Sequence, residues 1–309
     1  MKKTCSETTL THNSAQAQTD KTESTTSSDS CETGDNKRVY QALDEFLKQE
    51  EITLYNLPKY YDIAFSRDVT GEIEFYIHCF KKYCGFDVKT ILEPACGSGI
   101  FLINFPKYGY HITGYDINPK MVEYAKEKIE EVECSDKAKV LIGDMVTMKF
   151  NPKFDAAITP LSSLGYLQSD KEISSHLKAM SQSLKKGGLY IVEISCACND
   201  INHEKVPDET WFAEKDGTKI EATWCPYYYD KENKIRHIDF RMKCQDNGRV
   251  FEFHEEHKLR LWLYEDFKKL TQEAGFRIAA IYNQKFQLIP KDSRITGELG
   301  ALYYVLVNQ

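Results

Sequence analysis

Two glycines and two acids at a fixed separation are the residues of this sequence best suited to chemistry. Ile91-Leu92-Glu93-Pro94-Ala95-Cys96-Gly97-Ser98-Gly99 reads as a short buried strand running into a tight turn. Gly97 and Gly99 let the backbone come close to a ligand where a Cβ would obstruct it. A helix expected from about Ile100 to Tyr108 would point its amide-rich N-terminus at that ligand. A second apolar strand, His111 to Tyr115, ends at Asp116, about 20 residues beyond the turn, a spacing that suits a carboxylate gripping ribose hydroxyls. The stretch therefore predicts a nucleoside-binding half-site.

The elements that must hold this site alternate from Lys89 onward. Strands are expected at Thr90 to Glu93, His111 to Tyr115, Ala138 to Ile142, Phe154 to Thr159 and Leu189 to Ile194. Between them, helices are expected from Asn118-Pro119 to about Val132 and from about Asp170 to Leu184, with a turn at Lys186-Gly187-Gly188. This rhythm predicts an α/β fold with a doubly wound, seven-stranded, mostly parallel, Rossmann-like sheet, five of whose strands lie in the core over residues 38–195. After Ser195 the rhythm changes. Asp216-Gly217 and Asn247-Gly248 are hairpin dipeptides, and Lys219 to Tyr229, Ile235 to Lys243 and Val250 to Leu263 alternate around them. An antiparallel β extension is thus expected over residues 196–263. An amphipathic helix, Tyr264 to Ala274, closed by Gly275, and strands Ile278 to Tyr282 and Ala301 to Val307 then complete the core over residues 264–309.

Ahead of the core, residues 1–37 are rich in Ser, Thr, Asp and Glu and are expected to be disordered. Val39 to Leu47 has helical apolar spacing, and the aromatic segment Tyr60 to Asp68 precedes a helix from about Glu72 to Tyr83. That segment reads either as a packing staple or as a lid carrying a Tyr hydroxyl and an Arg. A length of 309 residues suffices for a real core, and a net charge of -7 argues against tight non-specific binding of nucleic acid. No apolar run approaches the ~20 residues of a membrane span, and no hydrophobic signal core opens the chain, so a cytoplasmic protein is expected. The ten cysteines show no zinc-finger spacing and read as reduced thiols; no metal site is predicted. Cys196-Ala197-Cys198, the one close pair, is a minor candidate for a metal, metalloid or redox role.

Three nucleotide chemistries compete for the turn. A dinucleotide site wants a third glycine that Gly97-Ser98-Gly99-Ile100-Phe101-Leu102 lacks, and a P-loop wants a Gly-Lys-Ser/Thr that is absent. S-adenosylmethionine needs only close backbone approach, an acid for the ribose and an acid for the adenine amine, roles open to Asp116 and Asp144.

With those residues in place, the chain resembles the class I S-adenosylmethionine-dependent methyltransferases. Glu93 to Gly99 is similar to the family's first motif, Asp116 to its strand-two acid, and Gly143-Asp144-Met145 to its adenine-binding motif. Phe154 to Ile158 with Ser162 to Leu167, Leu184 to Leu189, and Ala274-Gly275-Phe276 resemble the later motifs in order. The resemblance implies an enzyme that uses S-adenosyl-L-methionine and releases S-adenosyl-L-homocysteine. It implies cofactor contacts at Tyr61, Arg67, Glu93, Ala95, Cys96, Gly97, Gly99, Asp116, Ile117, Asp144, Met145, Thr159 and Leu161. Ala95 departs from the glycine most common there; its methyl suits a backbone that needs no positive φ.

The Tyr60-Tyr61-Asp62 segment and the late β extension further resemble small-molecule methyltransferases of the glycine N-methyltransferase and amino-sugar N,N-dimethyltransferase type. This implies a small-molecule acceptor methylated at nitrogen, in a pocket built partly by the extension, with a homodimer through the extension as a candidate assembly. Tyr60, Tyr166, Trp224, Tyr228 and Arg241 are the candidate acceptor-side residues. No general base follows from the sequence, because alternation can place His237, His254, Glu255, Glu256 and His257 in solvent. The alternatives are methylation of oxygen, sulfur or a metalloid, or a non-catalytic, regulatory S-adenosylmethionine-binding protein. RNA methylation is disfavoured by the charge and by Thr159-Pro160-Leu161-Ser162, where an Asn/Asp-Pro-Pro-Tyr/Phe motif would stand.

Overall fold

The computed structural model describes residues 52–197 and 206–309, apart from the side chains at 196, 197 and 298. The expected tail, the Val39 to Leu47 helix, and the side chains of Cys196 and Cys198 lie outside these. In chain order the helices are α1 (Pro58–Ala64), α2 (Thr70–Tyr83), α3 (Pro119–Glu131), α4 (Asp170–Ser183) and α5 (Tyr264–Glu273). The core strands are β1 (Thr90–Pro94), β2 (His111–Asp116), β3 (Ala138–Ile142), β4 (Phe154–Thr159) and β5 (Leu184–Ala197). An extension follows with β6 (Glu209–Lys215), β7 (Thr218–Asp230), β8 (Ile235–Asp246) and β9 (Arg249–Arg260). The chain closes with β10 (Trp262–Leu263), β11 (Phe276–Tyr282) and β12 (Ala301–Asn308).

The main sheet runs β11-β12-β5-β4-β1-β2-β3, with β12 antiparallel to both its neighbours and the remaining pairs parallel. The expected seven-stranded, mostly parallel sheet is present. Its central strands are apolar on both faces because helices cover both; Ile91, Leu92, Ala156, Ala157 and Ile158 are fully buried. Local chemistry sets the helix ends. Asn118 accepts the amides of Lys120 and Met121 ahead of Pro119, and Ser169 with Glu172 closes a capping box on α4. Strands β6 to β9 form a separate four-stranded sheet, turned by two positive-φ pairs, Asp216-Gly217 and Asn247-Gly248. No helix among the described residues is long and apolar enough to cross a membrane.

Two expectations need correction. After Gly99 the chain forms turns and one short 3₁₀ helix, Phe105–Tyr108, not an α-helix. The Asn104 side chain donates to the Ile100 carbonyl at 2.7 Å, occupying the acceptor of the first helical turn, while Pro106 lacks an amide and Gly109 turns left-handed at φ 87°. Lys186-Gly187-Gly188 is not a turn into β5 but lies inside it. Gly187 at φ 77° marks a register shift, and a Cβ on Gly188 would stand 2.7 Å from the Asp155 carbonyl.

A buried polar chain ties β4, β5 and α4 to the loop after β3. Thr159 Oγ1 lies 2.8 Å from the Tyr190 hydroxyl, which lies 2.7 Å from His176 Nε2, while His176 Nδ1 donates to the Met145 carbonyl at 2.8 Å. Burial pushes the His176 pKa from 6.5 down to about 4, so the folded ring is neutral. Between those values the unfolded chain binds the extra proton, so stability falls as pH drops through that window and is flat above it. Denaturant melts should lose about 3 kcal/mol on acidification from pH 6.5 to about 4 through this residue, and His176→Gln should remove that part of the slope. Equal slopes in the two proteins would refute the buried neutral ring.

Candidate active site

The carboxyl ends of β1, β2, β3 and β4 meet at one edge of the sheet, and the turn after β1 sits among them. Asp116 fixes that turn. Its Oδ2 accepts the Gly97 amide and its Oδ1 the Asn118 amide, both at 2.9 Å, and burial raises its pKa. Each oxygen keeps a second lone pair for a ligand hydroxyl. Cys96 is buried and donates its amide to the Tyr115 carbonyl at 3.2 Å. Gly97 and Gly99 have φ of 52° and 77°, and the Tyr61 hydroxyl lies 3.5 Å from where a Cβ on Gly97 would be. The condition under which a methyl at Ala95 is tolerated is not met: it sits at φ 52°, a left-handed alanine strained by about 1 kcal/mol.

Beneath the turn, Glu93 is 2% exposed, and its Oε2 finds no hydrogen-bond partner among the described residues. Burial holds its carboxyl well above the usual range. It faces a recess of about 40 Å³ shared with Tyr61, Arg67, Ala95, Ser98 and Leu161. Arg67 stands at the same recess, clamped to Glu72 by two contacts of 3.0 and 3.2 Å. An orphaned buried acceptor costs about 1–3 kcal/mol, so this recess is built for a donor, and a cationic one suits it best.

Past β2 and β3 the edge opens to solvent. Ile117 is 70% exposed, beside Asp116. Asp144 accepts the Val146 amide at 2.8 Å, and the following Met145 is held through its carbonyl by His176. Thr159 is fully buried with its hydroxyl on Tyr190, so it offers this edge no side-chain contact. Leu161 has φ 55°, half-exposed, and donates its amide to the buried Glu193 at 2.7 Å.

Beside the recess, and sharing Tyr61, Phe65, Leu161 and Ser163 with it, lies a larger cleft of about 340 Å³. Its walls carry six aromatic rings, Tyr55, Tyr61, Phe65, Tyr166, Trp211 and Trp224, with the charged Glu209, Arg236 and Arg260 among them. Of the expected acceptor-side residues, Tyr166 and Trp224 line it. Tyr60 does not; it is buried and donates to Asp246 at 3.0 Å. A bulge between Pro226 and Tyr228 inverts the alternation that starts at Trp224, so Tyr228 is 55% exposed against His237. Arg241 alternates with the buried Phe240 and Met242 and pairs outward with Asp239 at 2.7 Å. Arg236, which shares the inward face with Phe240 and Met242, is on the cleft wall instead.

The sequence reading missed Tyr55, Phe65, Trp211 and Arg236, and left His257 among residues open to solvent. His257 is 3% exposed, packed against Trp224 and Phe240. The period-2 pattern held the signal, because Phe251, Phe253, Glu255, His257 and Leu259 share one face of β9. His257 Nδ1 lies 2.9 Å from the Tyr166 hydroxyl, which lies 2.5 Å from that of Tyr55. On the far side of the ring, Glu255 Oε1 lies 2.9 Å from Nε2, off the line of a ring N–H. His237 and His254 face outward, toward Glu256 and Asp239.

Comparison with known proteins agrees with this geometry. Residues 91–188 match a family model described as a methyltransferase domain. Bacillus subtilis (strain 168) YqeM, named as a methyltransferase, is 27% identical over 191 residues, covering 61% of this chain and 73% of its own. The dTDP-3-amino-3,4,6-trideoxy-alpha-D-glucopyranose N,N-dimethyltransferase of Streptomyces venezuelae is 27% identical over 107 residues, 35% of this chain and 43% of that enzyme. Among solved structures, Streptomyces venezuelae DesVI superposes with a TM-score of 0.68 at 18% identity, over 84% of this chain and 100% of that one. An S-adenosylmethionine-dependent methyltransferase from Clostridium acetobutylicum gives 0.62 at 16% identity, over 89% and 99%. At such identities the structures report the fold. The family match, from β1 into β5, gives this chain a methyltransferase domain at residues 91–188, and its fold is the Rossmann-like one of class I S-adenosylmethionine-dependent methyltransferases.

Proposed function

We propose that this enzyme transfers the methyl group of S-adenosylmethionine to an amine nitrogen of a small molecule held in the aromatic cleft. The observation that carries this reading is the cleft itself. About 340 Å³ falls in the range of small-molecule pockets, and walls of Tyr55, Tyr61, Phe65, Tyr166, Trp211 and Trp224 favour an alkylammonium by cation–π attraction. The relative named as an amino-sugar N,N-dimethyltransferase supports nitrogen as the target and amino sugars as one acceptor class to test. Methyl transfer needs the nucleophile and methyl carbon in line with water kept out, which a cleft walled by rigid rings provides.

In this reading the cofactor's ribose lies on Asp116 over the Gly97–Gly99 turn, and its adenine lies near Ile117 and Asp144. Its amino-acid end enters the recess, the ammonium on Glu93 and the carboxylate toward Arg67. The unpartnered Glu93 Oε2 and the bare face of Gly97 under Tyr61 fit those groups. Its reactive methyl would then point into the cleft.

Two measurements test this. Titration calorimetry with S-adenosylhomocysteine should show at least about a tenfold loss of affinity for Asp116→Ala, the equivalent of one charged hydrogen bond. Wild-type affinity should rise with pH as Glu93 ionises, a rise that Glu93→Gln flattens; unchanged affinity in both variants would overturn the cofactor assignment. Turnover of methyl-labelled cofactor against amino sugars, aliphatic amines, phenols and arsenite should label the amines. Labelling confined to phenols or arsenite would replace nitrogen by oxygen or the metalloid.

A further inference from the structure

We infer that Tyr55, Tyr166 and His257 form a proton relay that deprotonates the acceptor in the cleft, with Glu255 as the counter-charge. The inference rests on the amine reading above and goes beyond it, since a primary or secondary aliphatic amine is mostly ammonium near neutral pH and has no lone pair to attack with. The aromatic walls favour binding that cationic form, so something at the wall must take its proton.

The geometry supplies a continuous path. The hydroxyls of Tyr55 and Tyr166 are both on the cleft wall, 2.5 Å apart, and the Tyr166 hydroxyl reaches His257 Nδ1 at 2.9 Å. His257 does not line the cleft and is sealed from water, so the two hydroxyls are its route to the acceptor. Glu255 is fixed for its part: Oε2 accepts the Leu54 amide at 2.6 Å, and Oε1 stands 2.9 Å from His257 Nε2. The other groups against the ring are Trp224 from β7, Phe240 from β8 and the Tyr55 ring, so Glu255, Tyr166 and Tyr55 are the titratable groups facing it. Burial pushes the Tyr166 hydroxyl up to about 12 and raises that of Tyr55 well above its usual value, so both stay protonated and act as conduits, not as resident bases.

The step balances as follows. An N–H bond of the ammonium breaks and its proton goes to the Tyr55 oxygen, while Tyr55 passes its own proton to Tyr166 and Tyr166 passes its own to His257 Nδ1. Both tyrosines end neutral, and the imidazolium forms beside the Glu255 carboxylate. The freed nitrogen lone pair forms the N–C bond as the C–S bond breaks, and sulfur keeps that electron pair. After product release the imidazolium returns its proton through Tyr166 and Tyr55 to water in the emptied cleft. Glu255, 2.9 Å from the ring but off the line of its N–H, offsets the imidazolium charge electrostatically.

The test is methyl-label transfer to a fixed mixture of glucosamine, ethanolamine and phenethylamine by wild type, His257→Gln and Tyr166→Phe. S-adenosylhomocysteine calorimetry serves as the control for folding and cofactor binding. Near pH 7 each variant should transfer about 100-fold more slowly than wild type, the scale of a lost general base, with S-adenosylhomocysteine affinity within about twofold. At about pH 9.5, where free amine is abundant, the deficit should shrink to below about tenfold. A merely structural role predicts the same deficit at both pH values, and that result, or wild-type rates near pH 7, would overturn the relay. Loss of S-adenosylhomocysteine binding in both variants would also overturn it, by making these side chains structural. If wild type itself labels no amine, the amine reading falls, and the relay falls with it for that separate reason.

Discussion

A buried carboxylate, Asp62, holds the whole site together. Its Oδ1 accepts from Ser98 Oγ at 2.7 Å and from Lys128 Nζ at 2.6 Å, binding α1 to the glycine turn and to α3 at one point. Removing Lys128 would leave the Asp62 charge without its ion-pair partner, which costs about 3–5 kcal/mol for a buried pair. From this anchor, residues 54–67 are laid between the two sheets like a wedge. Their far side is fastened to the extension: Lys59 and Tyr60 reach Asp246, the Ala64 carbonyl accepts from Trp211 Nε1, and the Leu54 amide meets Glu255. The cleft exists because this wedge keeps the inner face of the extension from closing onto the main sheet.

That construction gives the two halves of the site different electrostatics. On the turn side, Asp116 and Glu93 are carboxyls whose pKa values burial raises, with free oxygen lone pairs that suit hydroxyls and a positive group. On the cleft side, the surfaces are chiefly π-faces and hydroxyls, with Glu209, Arg236 and Arg260 at the wall and His257 and Glu255 behind them. Tyr61 belongs to both, over Gly97 on one side and 5.7 Å between ring centres from Tyr55 on the other. In the proposed reading, a donor with a positive sulfur meets an acceptor amine that must lose its own positive charge before its nitrogen can attack. The placement of a proton-accepting path at this boundary answers that constraint.

Much of this was legible in the sequence. Strand and helix periodicity identified the parallel sheet, Asn118-Pro119 and Asp216-Gly217 marked their cap and hairpin, and the acid after β2 lies where its spacing put it. What escaped was local competition and long-range packing. Asn104 diverting the Ile100 carbonyl, with Pro106 and Gly109 behind it, defeated an apolar pattern that otherwise reads as a helix. The bulge at Pro226 reversed the faces of β7, so Tyr228 left the cleft while Trp224 stayed. His257 could have been found by parity with Phe251 and Phe253. Tyr55 could not, because only the docking of its segment onto β9 brings it beside Tyr166.

The central claim is that the donor lies on the Asp116–Gly97 turn with its sulfur directed at the aromatic cleft. A crystal structure of the enzyme with S-adenosylhomocysteine bound tests it most directly. The account predicts the ribose hydroxyls on Asp116, the ammonium on Glu93, and the thioether sulfur at the cleft mouth, facing the hydroxyls of Tyr55 and Tyr166. A ligand bound elsewhere, or one whose sulfur faces away from that cleft, would contradict it.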